Sequence, residues 1–144
     1  MESSLFTRII AGEVPTSFIA EDEYWVAFLD INPRRPGHTL IVPRQQKQYL
    51  TDLSFESRSS LLEGVVEVQR RLTSHFGCTD FSVVIHDGPT AGQEIPHLHI
   101  HVIPRQSGDG GKSLLAMFPN EPHPGKHEPD FSLLAELGKV LQRR

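Results

Sequence analysis

The sequence predicts an α+β domain in which about five short strands form a largely antiparallel sheet, with one long helix and shorter terminal helices. Three observations carry this. Short apolar, β-branched or aromatic runs bounded by turn residues recur five times before residue 106. Between the third and fourth runs, Leu61, Val65, Val68, Leu72 and Phe76 recur at steps of four, three, four and four, one stripe of a long helix. After Arg105 the chain turns rich in Gly and Pro and loses its periodicity. At 144 residues a single hydrophobic core is expected. The whole chain, 1–144, therefore reads as one domain, with its core at about 3–105 and a covering segment over 106–144.

Leu5, Phe6, Ile9 and Ile10 have helical spacing within residues 3–11, and Gly12 closes that element. Phe18 to Ala20 and Trp25 to Leu29 read as strands joined by a tight turn at Glu21-Asp22-Glu23. A loop with two prolines, Asn32 to Gly37, leads to a buried strand over Thr39 to Val42, which Pro43 ends. The long helix runs from about Ser54 to Phe76. Leu62 and Val66 widen its stripe, and Gly77 suits the C-terminal cap. Phe81 to Ile85 reads as a strand, Asp87 to Gln93 as a Gly-rich loop, and His97 to Ile103 as another strand. Phe131 to Leu141 fits a short terminal helix.

A net charge of −4 argues against a general nucleic-acid binder, since phosphate backbones select basic surfaces. A small anionic ligand needs only a local pocket and stays admissible. Cys78 is the single cysteine, which removes an internal disulfide and any cysteine-cluster metal site; it reads as buried and inert. No apolar run approaches membrane-spanning length, and the first residues lack a basic stretch followed by an apolar one. The expected location is the cytoplasm, with no membrane partner.

The informative stretch is His97-Leu98-His99-Ile100-His101-Val102. On a strand, Leu98, Ile100 and Val102 would face the long helix and the three imidazoles the opposite surface. Three readings compete. Surface histidines tolerated on a sheet face are the plainest, but three of eight histidines at period two are seldom set by chance. Two histidines at i and i+2 could share a transition metal, although a third would lie roughly 13 Å from the first at about 3.3 Å per residue. The third reading is nucleophilic catalysis, for which an imidazole is suited at neutral pH once its other nitrogen is held by an acceptor. The loop Asp87-Gly88-Pro89-Thr90-Ala91-Gly92-Gln93 lies just upstream, and its glycines let backbone N–H groups approach an anion.

Ala91-Gly92-Gln93, the His97/His99/His101 strand, Pro36-Gly37-His38 and Ala27-Phe28-Leu29-Asp30 together resemble the histidine triad (HIT) family of nucleotidyl hydrolases and transferases, over roughly residues 3–105. The resemblance implies that His99 is the nucleophile on the α-phosphorus of a nucleotide, forming a covalent nucleotidyl-histidine. It implies flanking roles for His97 and His101, a supporting role for His38, and a place for Gln93 near the leaving group. Asp30 would hold the ribose hydroxyls and Phe6, Ile9, Phe28 and Ile31 the base, although core packing explains Phe6, Ile9 and Phe28 nearly as well. Phosphoryl contacts would come from His101, Gln93 and the Gly92 backbone.

The loop motif and the later Pro104-Arg105 resemble the dinucleoside polyphosphate hydrolases, diadenosine polyphosphate being the type, more than the phosphoramidases; nucleotidyl transfer and a binding module with incidental turnover are the alternatives. No cofactor is implied, save Mg²⁺ or Mn²⁺ accompanying a polyphosphate, and a homodimer is expected. Two departures from the family pattern stand out. Zinc-bearing members carry cysteines and a histidine where this chain has Ser4, Thr7 and Gln46, so no metal is expected. His86 stands where an Asn or Gln would be expected, either near the ribose and phosphate or as a turn-flanking residue with no role. Arg105 would face phosphate or solvent, His75 suits a helix C-terminus, and His123 and His127 read as exposed.

Overall fold

Ser54 starts the long helix by accepting a hydrogen bond at its side chain from the Ser57 amide, and Gly77 ends it in the left-handed region at φ 74°. Between these caps lies α2, Phe55–Phe76, which buries Leu61, Val65, Val68 and Leu72 of the predicted stripe, whereas its last member, Phe76, is exposed at the helix end. Leu62 and Val66 remain exposed. The structure, a computed structural model, describes residues 2–142. The chain divides into two compact units at Asp109/Gly110.

The first unit holds the sheet. After α1, Leu5–Ile10, come β1, Phe18–Glu21, β2, Trp25–Leu29, and β3, Thr39–Pro43; β4, Asp80–Ile85, and β5, Ile100–Arg105, follow α2. All neighbours are antiparallel, in the order β1-β2-β3-β5-β4. The expected α+β architecture is the one observed. Pro43, expected to end β3, lies within it and pairs with Trp25 of β2. Proline lacks only the donor; its carbonyl remains available and is used in the site.

Both faces of the sheet are covered. Trp25, Ala27, Ile41, Leu98, Ile100 and Val102 pack with the α2 stripe in one core. Val26, Phe28, Leu40 and Val42 pack with Phe6 and Ile9 of α1 in a second. This explains why β2 and β3 read as unbroken apolar runs rather than alternating ones. The second core also corrects one expectation. The histidine face is not an open surface, because α1 lies over it, and His97 and His99 are both buried.

Gly64 sets how closely α2 approaches the sheet. A Cβ there would stand 2.8 Å from Cε2 of the buried Trp25 ring. Gly64→Ala gains about 1 kcal/mol of helix propensity but overpacks at a cost of about 1–3 kcal/mol, so a net loss of up to about 2 kcal/mol is expected. Thermal melts followed by circular dichroism should show Tm falling by a few degrees; an unchanged or raised Tm would mean that Trp25 yields freely.

The second unit begins at Gly110 and contains a 3-10 turn, Leu114–Met117, and α3, Phe131–Gln142, close to the expected terminal helix. Asp130 caps α3 by accepting from the Leu133 amide. His123 and His127 are exposed, as expected. Among the described residues no helix is long and apolar enough to cross a membrane.

Candidate active site

The triad stretch enters the sheet late. Pairing in β5 begins at Ile100, so His97 and His99 precede the ladder and only His101 lies within it, opposite Leu40 of β3 and Val84 of β4. The expected strand over His97–Ile103 is therefore shifted. The Leu98 amide, free of the sheet, donates instead to the Lys47 carbonyl at 2.8 Å.

Each imidazole has a partner that assigns its proton. Nε2 of His97 lies 2.8 Å from the Pro43 carbonyl, which can only accept; Nε2 therefore carries the proton and Nδ1 is a bare acceptor. Nδ1 of His99 lies 2.9 Å from the His97 carbonyl, so Nδ1 carries the proton and the Nε2 lone pair is left uncommitted. The Arg34 amide donates to Nδ1 of His38 at 3.1 Å, which places the His38 proton on Nε2. That proton points at Nδ1 of His101, 2.9 Å away, so His101 carries its own on Nε2. The outcome is a nucleophilic nitrogen on His99 beside a donor nitrogen on His101, with ring centroids 5.0 Å apart.

Burial lowers the pKa of all four rings. For His101 it acts with the neighbouring imidazoles of His99, His38 and His86 to bring the value down to about 4. Asp30 pulls the other way on His38, His99 and His101 without prevailing. The cluster is neutral at pH 7.

Asp30 follows β2 and accepts from the Asn32 amide at 2.8 Å through Oδ1, while Oδ2 lies 3.5 Å from Nε2 of His38. Phe6 stands edge-on to His99, with centroids 5.0 Å apart, and 5.8 Å from Phe28. Phe6, Ile9 and Phe28 are buried members of the α1 core, whereas Ile31 is 89% exposed, so these four do not form one surface. His86 is half-buried and lies tilted against His101, with ring centroids 5.5 Å apart. A side chain on Gly92, where φ is +102°, would press on the His86 ring at 3.3 Å, which accounts for glycine there.

The Gly-rich loop differs from expectation in what its amides do. The N–H groups of Gly92 and Gln93 donate within the loop, to the carbonyls of Pro89 and Gly88. Closing the turn consumes the donors that the sequence offers to an anion. Gln93 is buried and its Nε2 donates to the Gln48 carbonyl at 2.9 Å. Arg105 also has other business: Asp109 holds it in a two-pronged pair at 2.8 and 2.9 Å and keeps its pKa high, while Ser82 accepts a third bond.

Two places bear on metal binding. Among the described residues, Asp30, His38 and His101 bring three ligand atoms within 4.8 Å of one another. The Arg34 amide opposes a cation there, because it holds the His38 proton on the nitrogen that would have to coordinate. At the second place, Ser4, Thr7 and Gln46 do converge, around Nδ1 of His97. Their donors are two hydroxyls and an amide, all engaged with one another, and they do not fit a zinc ion that selects thiolate and imidazole. Cys78 is buried. His75 lies in the last turn of α2, as expected.

The side chains of the site are legible in the sequence, but their partners are not. Main-chain carbonyls at Pro43, His97 and Gln48 leave no signature in residue identity. The Arg105–Asp109 spacing was open to inspection.

A small α+β domain in which a row of hydrogen-bonded, neutral imidazoles leads into an interior strand beneath the first helix defines the class. The HIT domain matches residues 11–108, and the chain belongs to the HIT family. An uncharacterised HIT-like protein of Methanocaldococcus jannaschii is 41% identical over 109 residues, covering 74% of this chain and 81% of its own. An adenosine 5'-monophosphoramidase of Saccharomyces cerevisiae is 32% identical over 95% of this chain and 79% of its own. An asymmetrical bis(5'-nucleosyl)-tetraphosphatase of Schizosaccharomyces pombe is 29% identical over 82% and 73%. The crystal structure of SMU.412c from Streptococcus mutans superposes with a TM-score of 0.83 at 29% identity, covering 99% of this chain and 85% of that one.

Proposed function

We propose that this chain hydrolyses a nucleotide at its α-phosphorus through a nucleotidyl intermediate on His99. The observation that carries the reading is the lone pair on Nε2 of His99, bare while Nδ1–H is held by the His97 carbonyl. In-line attack forms the N–P bond, and the bond to the leaving group breaks with its electron pair. The imidazole becomes cationic as it does so, and the carbonyl on Nδ1 stabilises that charge. The His101 Nε2–H is the donor for a phosphoryl oxygen. Water then attacks the phosphorus, releases the mononucleotide and returns His99 to its starting tautomer. Asp30 is assigned to the ribose hydroxyls and Gln93 to the leaving-group side, while His97, whose ring is fully buried, holds His99 rather than touching substrate.

The leaving group assigned first is the nucleotide chain of a dinucleoside polyphosphate, the class that the Asp87–Gln93 motif resembles, and the Schizosaccharomyces relative's activity agrees with it. A second reading, an adenosine phosphoramidate, is favoured by one observation. Arg105, the cation offered to a polyphosphate tail, is engaged by Asp109. The Saccharomyces relative's name points the same way. Steady-state rates on diadenosine tri- and tetraphosphate against adenosine phosphoramidate decide. A higher kcat/KM for the dinucleotides, with or without Mg²⁺, supports the first reading; the reverse order replaces it with the second, and no turnover of either removes both.

The homodimer is likewise a proposal. Leu62 at 65% and Val66 at 37% exposure leave part of the α2 stripe uncovered, beside the free edge of β4 with Val83 at 44%. Light scattering at micromolar concentration should give about twice 16.2 kDa, and Val66→Glu should shift it toward that monomer mass. A wild-type mass of one chain would refute it.

A further inference from the structure

The cluster at the start of α1 does more than cap a helix. Pro43 leaves Nδ1 of His97 as an acceptor, and Oγ of Ser4 lies 2.6 Å from it. A serine hydroxyl has one proton, so that proton belongs to His97 and not to Oγ1 of Thr7, 3.2 Å away. Ser4 Oγ in turn accepts from the Thr7 amide at 3.0 Å. The Thr7 hydroxyl donates to Oε1 of Gln46 at 2.5 Å, which also accepts the Ser4 amide at 2.9 Å, and Nε2 of Gln46 donates to the Glu2 carbonyl at 2.8 Å. Every proton in this circuit has one consistent place. Among the described residues its hydrogen-bonded outlet toward the site is the His97 ring, whose own carbonyl holds Nδ1–H of His99.

We infer that Ser4 is a positioning residue for His99, donating its hydroxyl proton to Nδ1 of the buried His97 and so holding the carbonyl that keeps the Nε2 lone pair of His99 bare. The inference rests on the reading of His99 as nucleophile. The same helix presses Phe6 against the His97 and His99 rings, with centroids 5.7 and 5.0 Å apart, so α1 grips both residues. In place of a metal centre, this chain ties its first helix to its histidine stretch with directed hydrogen bonds. Without the Ser4 donor, the buried His97 nitrogen would be left with the Thr7 hydroxyl alone, 3.5 Å away and with its proton committed to Gln46, and the ring could change tautomer or rotate.

Substitution at Ser4 separates this role from plain capping. Ser4→Asp keeps a first-rate N-cap but can only accept, so it offers His97 no proton. Ser4→Ala loses both functions, and Ser4→Thr keeps both. Ser4→Asp and Ser4→Ala should lower kcat about ten- to hundredfold with little change in KM, while Ser4→Thr restores most of it. Nitrogen-15 imidazole spectra of the ligand-free wild type at pH 7 should show His97 protonated on Nε2 and His99 on Nδ1, and Ser4→Asp should add a proton at Nδ1 of His97. The spectra need no substrate, so they judge Ser4 even if the assigned reaction fails. A Ser4→Asp variant with wild-type kcat and spectra, or wild-type His97 protonated on Nδ1, would overturn the inference.

Discussion

His99→Ala should lose turnover by roughly 10⁴-fold or more and keep its fold. The size follows from chemistry. Without the nucleophile there is no covalent route, and the remaining groups can only bind and polarise the phosphate; removal of nucleophiles elsewhere costs about this much or more. Retention of the fold follows from the side chain's place. His99 is buried, but its ring makes one polar contact, with the carbonyl two residues back, and rests edge-on against Phe6. Losing it opens a small cavity beside α1, at an expected cost of about 1–2 kcal/mol, and leaves the α2 core intact. Binding of a non-hydrolysable nucleotide should survive within about tenfold. Steady-state kinetics and isothermal titration check the two halves. If affinity and activity fall together, His99 is a binding residue, and the reaction belongs to another group.

The second large effect is in pH. His99 attacks only when neutral, and burial holds its pKa below 6.5. The kcat/KM profile should therefore be flat from pH 8 to about 6.5 and fall only at lower pH, with an apparent pKa under the ordinary histidine value. Bound phosphate adds negative charge beside the rings and raises their pKa values, so the fall in kcat should begin at higher pH than that in kcat/KM. The same shifts govern stability, with the sign set by linkage. Because the folded-state values are depressed, the unfolded chain binds protons first as pH falls below about 6.5, and stability drops from there. For His101 the loss is complete only near pH 4. Rate and denaturation profiles over pH 4–8 test both, and a kcat/KM limb at or above pH 6.5 would contradict the neutral, depressed cluster.

The fold was legible because hydrophobic period reports burial. Most of the α2 stripe, its Gly77 cap and the existence of five strands follow from spacing and turn residues, although β5 begins three residues later than the alternation suggests. The residues of the candidate site were legible too, since a period-two histidine run beside a Gly-rich loop is rare. What period could not tell is which side of a strand is covered. Leu98, Ile100 and Val102 face α2 as expected, but a six-residue helix closes over the histidine side, and nothing in strand alternation announces it. The N–H groups at Gly92 and Gln93 differ from expectation for a related reason. Glycine signals a tight turn, and a tight turn uses its own amides. Ser4, Thr7 and Gln46 are legible in the sequence as unlike zinc ligands, but their hydrogen-bond circuit depends on distances between segments far apart in the chain.

Nucleophilic attack by His99 is most directly tested by rapid mixing of the protein with diadenosine tetraphosphate and with adenosine phosphoramidate, quenching under base, proteolysis and mass spectrometry. During turnover the account predicts one acid-labile adenylyl adduct per active chain, localised to His99 and absent from His99→Ala. Turnover with no adduct on any residue, or an adduct on His97, His101 or a residue outside the cluster, would contradict it.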